Sequence, residues 1–262
     1  MDLGIRGKVA LVAASSKGLG RAAAEELAAE GTNLVMCARG KEALEQTAES
    51  IRRQAAVRVV AVAADVSDPK DAGRVVKAAQ DEFGHVDILV TNSGGPPSGT
   101  FENLTPEMWD TATRLLLQSA VQLTRAVLPG MKERRWGRIL NVTSIAAKQP
   151  IEGLMLSNSL RAAVIGFART LANEVAPFNV TVNNLLPGYT RTDRVQELAH
   201  AARGKAGDSI DIISRWEKEI PMGRLGEPRE FAALAAFLAS ERASYITGSS
   251  IAVDGGWIRS VL

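Results

Sequence analysis

Seven short apolar runs recur along the chain with longer stretches of helical periodicity between them, and this alternation narrows the fold more than any other feature. "KVALVAA" (8–14) precedes a helix pattern through Glu30, and "NLVMCA" (33–38) precedes another through Gln54. "VRVVAVAAD" (57–65), "VDILVTN" (86–92), "RILNVTS" (138–144), "VTVNNLLPG" (180–188) and "SIAVDGG" (250–256) continue the series. A strand apolar on successive residues presents hydrocarbon to both faces of its sheet, so both faces must be covered. Such strands separated by helices specify an α/β fold, a Rossmann-type doubly wound parallel β-sheet with helices on both faces. Two long helices are expected at about 107–131 and 155–176.

No linker, repeat or low-complexity tract divides the 262 residues, so one dinucleotide-binding domain over 1–262 is expected. The least regular stretch is 189–226, which contains "AHAARGKAGD" and few strongly apolar residues. It follows a strand's carboxyl end, where such sheets open their ligand crevice, and reads as a substrate-side lid or a plain surface insertion.

The formal net charge of +2 gives no reason to expect a nucleic-acid or anionic-membrane partner. The basic run "KERRWGR" (132–138) is expected to be a solvated helix end leading into a strand. Cys37, the one cysteine, lies in an apolar strand-like run and reads as a small core residue. With His85 and His200 the only histidines, no metal site is expected. The chain opens without a charged-then-apolar signal and has no membrane-length apolar stretch, so a cytoplasmic, soluble protein is expected.

The chemistry begins at "AASSKGLG" (13–20), between the first strand and the first helix. Gly18 and Gly20 remove side chains where a backbone must approach a pyrophosphate, and a helix start offers free N–H groups and the positive end of its dipole. An NAD site usually places a carboxylate at the end of the second strand for the ribose hydroxyls. Here that end reads Ala38–Arg39, and Arg39 with Lys17 suits a 2′-phosphate instead, favouring NADP(H) over NAD(H). Asp65 and Val66 are placed to meet the adenine, and "NSGG" (92–95) to border the cofactor, unless Asn92 merely caps a turn.

These segments together resemble the short-chain dehydrogenase/reductase family over nearly the whole chain, and within it the 3-oxoacyl-carrier-protein reductases. Ala13–Gly20 corresponds to the family's T-G-x-x-x-G-x-G loop, Asn92–Gly94 to N-A-G, and Pro187–Thr192 to P-G-x-x-x-T. "GRLGEPREFAALAAFLAS" and "YITGSSIAVDGG" look like its carboxyl end, which helps form tetramers in many members. The resemblance implies cofactor contacts from Ala14, Ser16, Lys17, Gly18, Leu19 and Gly20, and from Asn92 and Gly94. It implies further contacts from Pro187, Gly188, Thr190 and Thr192. It also implies a small-molecule carbonyl or alcohol substrate and a homo-oligomer, a dimer or tetramer. Tyr245 reads as structural.

The resemblance also implies an active site of asparagine, serine, tyrosine and lysine, and three of these differ. The serine is Ser144; the asparagine position falls on Leu116, within one residue, the tyrosine on Ser157 and the lysine on Arg161. Ser157 and Arg161 are four apart, hence on one face of a helix. A serine hydroxyl is a far weaker acid than a phenol, and an arginine, always protonated, cannot relay a proton. Ser157 could still hydrogen-bond a carbonyl, and Arg161 could hold the cofactor's ribose. The proton could come from Tyr189 or from a water held by Ser144 and Ser157, with Lys148 as another nearby cation; Tyr189 could instead only pack its loop.

The expected function is therefore an NADP(H)-dependent oxidoreductase interconverting a carbonyl and an alcohol with an altered proton-donor set. A nucleotide-binding sensor or silent subunit is the first alternative, and a non-redox lyase or isomerase on the same scaffold the second. The apolar "IEGLML" (151–156) fits a hydrophobic or ring-bearing substrate, or simply core.

Overall fold

The structure, a computed structural model, describes residues 2–206 and 211–261, with side chains described outside 201–206. Its strands are β1 (Val9–Ala13), β2 (Asn33–Ala38), β3 (Val59–Ala63), β4 (Ile88–Thr91), β5 (Gly137–Val142), β6 (Val180–Pro187) and β7 (Ser250–Val253). They form one sheet in the order β3-β2-β1-β4-β5-β6-β7, every pairing parallel. The first half of the chain builds outward from β1 in one direction and the second half in the other. Between β1 and β4 the crossovers therefore diverge, and a crevice opens at the strands' carboxyl ends.

Helices α1 (Gly18–Ala29), α2 (Lys41–Gln54) and α3 (Pro69–Phe83) fill the first half. In the second half, α4 (Pro106–Thr113) passes through a π-helical segment, Arg114–Gln118, into α5 (Ser119–Arg134), and α6 (Met155–Val175) precedes β6. The chain continues through α7 (Asp193–Ala206), α8 (Ile212–Glu219) and α9 (Pro228–Leu238) to β7.

Strand side chains alternate between two apolar layers, as the pleat requires. Ala10, Val12, Leu34, Met36, Ile88, Val90 and Leu140 face a layer shared with α1, α2 and α9. Leu11, Val35, Cys37, Leu89 and Ile139 face the opposite layer, shared with α3, α5 and α6. Cys37 is fully buried and its thiol is pushed up to about 12 by that burial, which keeps it protonated and inert.

A polar ladder crosses the second half of the sheet inside this hydrocarbon. Thr91 Oγ1 donates to Asn141 Oδ1 at 2.8 Å, Asn141 Nδ2 to Asn184 Oδ1 at 3.1 Å, and Asn184 Nδ2 to Ser250 Oγ at 3.0 Å. Each donor and acceptor sit on directly paired residues of β4, β5, β6 and β7.

Three expectations need correction. The stretch 189–226 is not irregular: α7 and α8 occupy much of it, and positions 207–210, which include the last two residues of "AHAARGKAGD", lie outside the described residues. Asp211 caps α8 by accepting from the Ile213 and Ser214 N–H groups, and Ile212, Ile213 and Trp216 give that helix its apolar side. The helix expected at 107–131 is split by the π segment, with Leu116 buried inside it. The basic run is only partly solvated. Arg134 and Arg135 donate to the Val86 and Pro177 carbonyls, while Arg138 is fully buried, donating to Ser240 O and Gly137 O beside Glu241.

Candidate active site

The loop from β1 to α1 is bent by two residues in left-handed conformation. Gly18 has φ +59° and carries no penalty there, but Ala14 has φ +48° and does. A Cβ on Gly20 would lie 2.3 Å from the Ala14 carbonyl oxygen and 2.9 Å from Asn92 Nδ2, so Gly20 lets the loop fold back on its own helix. Thr47 Oγ1 fixes the loop from α2 by donating to Ser16 O at 2.9 Å. The amino terminus of α1 then opens onto a cleft of about 590 Å³ at the carboxyl ends of the strands.

Ala14, Ser16, Lys17, Gly18 and Leu19 line that cleft, as do Arg39, Asp65 and Val66. So do Asn92 and Gly94 from the end of β4, and Pro187, Gly188, Thr190 and Thr192 from the end of β6. Gly20 is the exception: it lies beneath the loop and acts through close packing. Arg39 is exposed and has no ion-pair partner among the described residues. Lys17 Nζ reaches across to Asp193 Oδ2 at 2.8 Å, a contact that raises the ammonium's pKa. The Asp65 carboxylate turns towards its own loop, accepting from the Ser67 N–H and hydroxyl.

Ser144, Ser157, Arg161 and Tyr189 line the same cleft. Ser144 caps the short 3₁₀ turn Ile145–Ala147 by accepting from the Ala146 N–H at 3.1 Å, which leaves its own hydroxyl hydrogen to donate elsewhere. Ser157, in the first turn of α6, accepts from Arg161 Nε at 3.2 Å and is likewise left with a hydrogen to donate.

Arg161 has most of its donors taken up by the protein itself. Its Nη1 donates to Val142 O at 3.1 Å and Thr143 O at 2.8 Å, and its Nη2 donates to Gly94 O at 2.9 Å. The guanidinium ties the end of β5 to the loop after β4, and one Nη2 hydrogen remains for a ligand. Burial pushes its pKa down to about 10, and the charge of Arg194 contributes in the same direction.

Tyr189 stacks on Trp216 with ring centroids 4.4 Å apart and meets Trp257 edge-on at 6.0 Å. Burial pushes its phenol up to about 12, with a smaller contribution from Glu219, which makes it a weaker acid than free tyrosine. Lys148 is exposed and does not line the cleft. Leu115 lines it and Leu116 is buried behind it, so either register places a leucine where the family has asparagine. Tyr245 is fully exposed rather than packed.

Sequence reasoning missed Arg194, which lines the cleft and donates from Nη2 to Pro96 O at 2.7 Å. Its position just after Thr192, at the start of α7, was the available signal. Leu154 and Ile151 of "IEGLML" do line the cleft, whereas Leu156 is core.

Residues 13–258 match the family described as enoyl-(acyl carrier protein) reductase. A 3-oxoacyl-[acyl-carrier-protein] reductase of Vibrio cholerae is 37% identical over 254 residues, covering 97% of this chain and 98% of the relative. A D-beta-hydroxybutyrate dehydrogenase of Cupriavidus necator is 36% identical over 263 residues, covering 97% and 99%. Among solved structures, L-sorbose reductase from Gluconobacter frateurii, complexed with NADPH and L-sorbose, superposes with a TM-score of 0.94 at 38% identity over 100% of both chains. Fold, cleft and relatives converge: the chain belongs to the short-chain dehydrogenase/reductase family, as an oxidoreductase of the CH–OH/C=O type.

Proposed function

We propose that this chain is an NADP(H)-dependent reductase of a small-molecule carbonyl in which two serine hydroxyls and water replace the usual phenol. The observation that carries this reading is the Arg161 Nε to Ser157 Oγ hydrogen bond, at 3.2 Å, inside the cleft that holds the glycine loop and Ser144. With both serine oxygens already accepting, both hydroxyl hydrogens are available to a carbonyl oxygen. The Arg161 charge beside Ser157 stabilises negative charge developing on that oxygen.

The residues fit the cofactor. Gly20 leaves room that a Cβ would fill, the α1 amino terminus supplies N–H groups for a pyrophosphate, and Arg39 and Lys17 supply cations where an NAD site has a carboxylate. That charge pattern favours NADP(H) over NAD(H), and the NADPH-bound structures of the Gluconobacter frateurii reductase and of actinorhodin polyketide ketoreductase support it. Bound reduced nicotinamide supplies the hydride. Ser144 and Ser157 orient the carbonyl, and the proton reaches the alkoxide oxygen from water, leaving hydroxide to the solvent. A positioned general acid contributes about 10²–10⁴-fold, so turnover slower by that order than in a tyrosine-bearing relative is expected.

The buried, ring-stacked Tyr189 supports a packing role in preference to proton donation. A homo-oligomeric state belongs to this proposal through the family, supported by the exposed Phe101 and Met222. No helix among the described residues is long and apolar enough to cross a membrane. A second reading, nucleotide binding without turnover, is favoured by the commitment of Arg161 to backbone carbonyls. Titration with NADPH and NADH, followed by NADPH consumption over a carbonyl panel, separates the two. Tight NADPH binding with consumption supports the reductase, and binding without consumption over the whole panel refutes it.

A further inference from the structure

Two guanidinium groups grip one three-residue loop at the substrate side of the cleft. Arg161 Nη2 donates to Gly94 O at 2.9 Å, and Arg194 Nη2 donates to Pro96 O at 2.7 Å. Between them, a Cβ on Gly95 would stand 2.6 Å from Arg194 Nε and 2.8 Å from Nη2. The absent side chain is what lets the Arg194 guanidinium lie against the loop, so its place is built into the site.

No carboxylate that lines the cleft pairs with these cations; Glu197, outside its lining, meets Arg194 Nη1 at 3.4 Å. Among the described residues, only Asp65 and Asp193 are acids lining the cleft. Asp65 is turned to Ser67, and Asp193 is paired with Lys17 of the glycine loop. The end formed by Gly94–Pro96, Ser144 and Ser157 carries two positive charges and no negative one.

The two arginines also differ in what they have left to give. Arg161 is nearly exhausted by carbonyl oxygens. Arg194 uses Nη2 for Pro96 and has one further contact, from Nη1 to Glu197 Oε2, long at 3.4 Å and to a side chain 59% exposed. Its Nε–H and one hydrogen on each Nη have no partner among the described residues. A planar fork with free donors, in a partly desolvated cleft, matches an oxyanion.

We propose that Arg194 binds an oxyanion of the substrate, carboxylate or phosphate, so that the site takes small anionic carbonyl compounds. This rests on the reductase reading for the carbonyl, but the anion contact can be measured without turnover. Glu197 is the internal carboxylate that such a ligand displaces.

The test titrates NADP⁺-saturated protein by calorimetry with two pairs of ligands: 3-oxobutanoate against its methyl ester, and dihydroxyacetone phosphate against dihydroxyacetone. An additional charge-assisted hydrogen bond is worth about 1.5–3 kcal/mol, so the anion of at least one pair is expected to bind about tenfold or more tighter. Which pair shows the preference distinguishes carboxylate from phosphate. Arg194→Gln should remove the preference by weakening the anion's binding far more than the neutral ligand's, Arg194→Lys should keep part of it, and Glu197→Gln should increase it.

Equal binding of anion and neutral partner in both pairs, or binding of none of the four, overturns the proposal. So does an Arg194→Gln variant that loses affinity for NADP⁺ itself, or for neutral and anionic ligands alike. Anion preference without any NADPH consumption would refute the reductase reading and leave the oxyanion site standing. Consumption of neutral ketones with no anion preference would do the reverse.

Discussion

Arg161→Lys, the change that moves this chain towards its family's pattern, should damage it. The guanidinium makes four hydrogen bonds, to Ser157 Oγ and to the Val142, Thr143 and Gly94 carbonyls, spread over three chain segments. A lysine ammonium has three hydrogens on one nitrogen and cannot span a fork of acceptors. If it keeps two of the bonds, two carbonyls lose a charged donor. Each such loss is worth about 1.5–3 kcal/mol when buried, and water entering the cleft reduces that, so a total near 2–4 kcal/mol is expected. For a chain of this size the melting temperature should fall by about 4–10 °C. The amides of the loop after β4 should exchange faster with deuterium, because Arg161 holds the Gly94 carbonyl. The assay is thermal unfolding of both proteins with and without saturating NADPH, followed by peptide-level hydrogen exchange. An Arg161→Lys variant that melts within about 1 °C of the parent, with unchanged exchange over 93–97, would refute the clamp.

Ala14→Gly removes a methyl from a residue at φ +48°. Left-handed strain of about 1 kcal/mol is relieved and partly offset by glycine's freedom in the unfolded chain, so the melting temperature should rise by about 1–2 °C. Tyr189→Phe keeps the stack on Trp216 and the edge contact with Trp257, so kcat should change less than about threefold, against about 10²-fold or more for a lost proton donor. Steady-state kinetics decides between those outcomes. Glu230 has its carboxyl held down to about 2 by Arg224, and it also accepts from the Glu227 N–H at the start of α9. A depressed carboxyl contributes stability above its ordinary value of 4.5 that is lost as the pH falls towards 2. Glu230→Gln should therefore melt below the parent at pH 7, and the gap should close at pH 2–3, as calorimetric scans at the two ends would show.

The parallel sheet was legible because both faces of its strands must be apolar, and β2 matches its run residue for residue at 33–38. The last run, 250–256, was longer than β7 because Asp254 turns the chain, accepting from the Gly256 and Ile258 N–H groups. Helices α7 and α8 were hidden by composition. Few strongly apolar residues mark α7, while α8, only eight residues long, gains its packing from Tyr189 and Trp257 outside its own segment. The residues that line this side of the cleft were readable because they lie at strand ends or on the glycine-bearing loop after β1. The commitment of Arg161 to carbonyls was not, since its acceptors are backbone atoms that carry no letter. Arg194 was missed for the same reason: its partner is a carbonyl of Pro96.

The buried ladder through Thr91, Asn141, Asn184 and Ser250 does something that hydrocarbon cannot. Alternating apolar layers tell odd positions from even, so a strand displaced by two residues would still face the right way. The amides remove that ambiguity, because a shifted strand would leave buried donors and acceptors facing alkyl groups at about 1–3 kcal/mol for each. They act as an address, naming which residue of each strand stands beside which. Asn92 follows the first rung by one residue, and Ser144 and Pro187 follow the next two by three each. The ladder therefore sets the height at which each strand delivers its working group to the cleft.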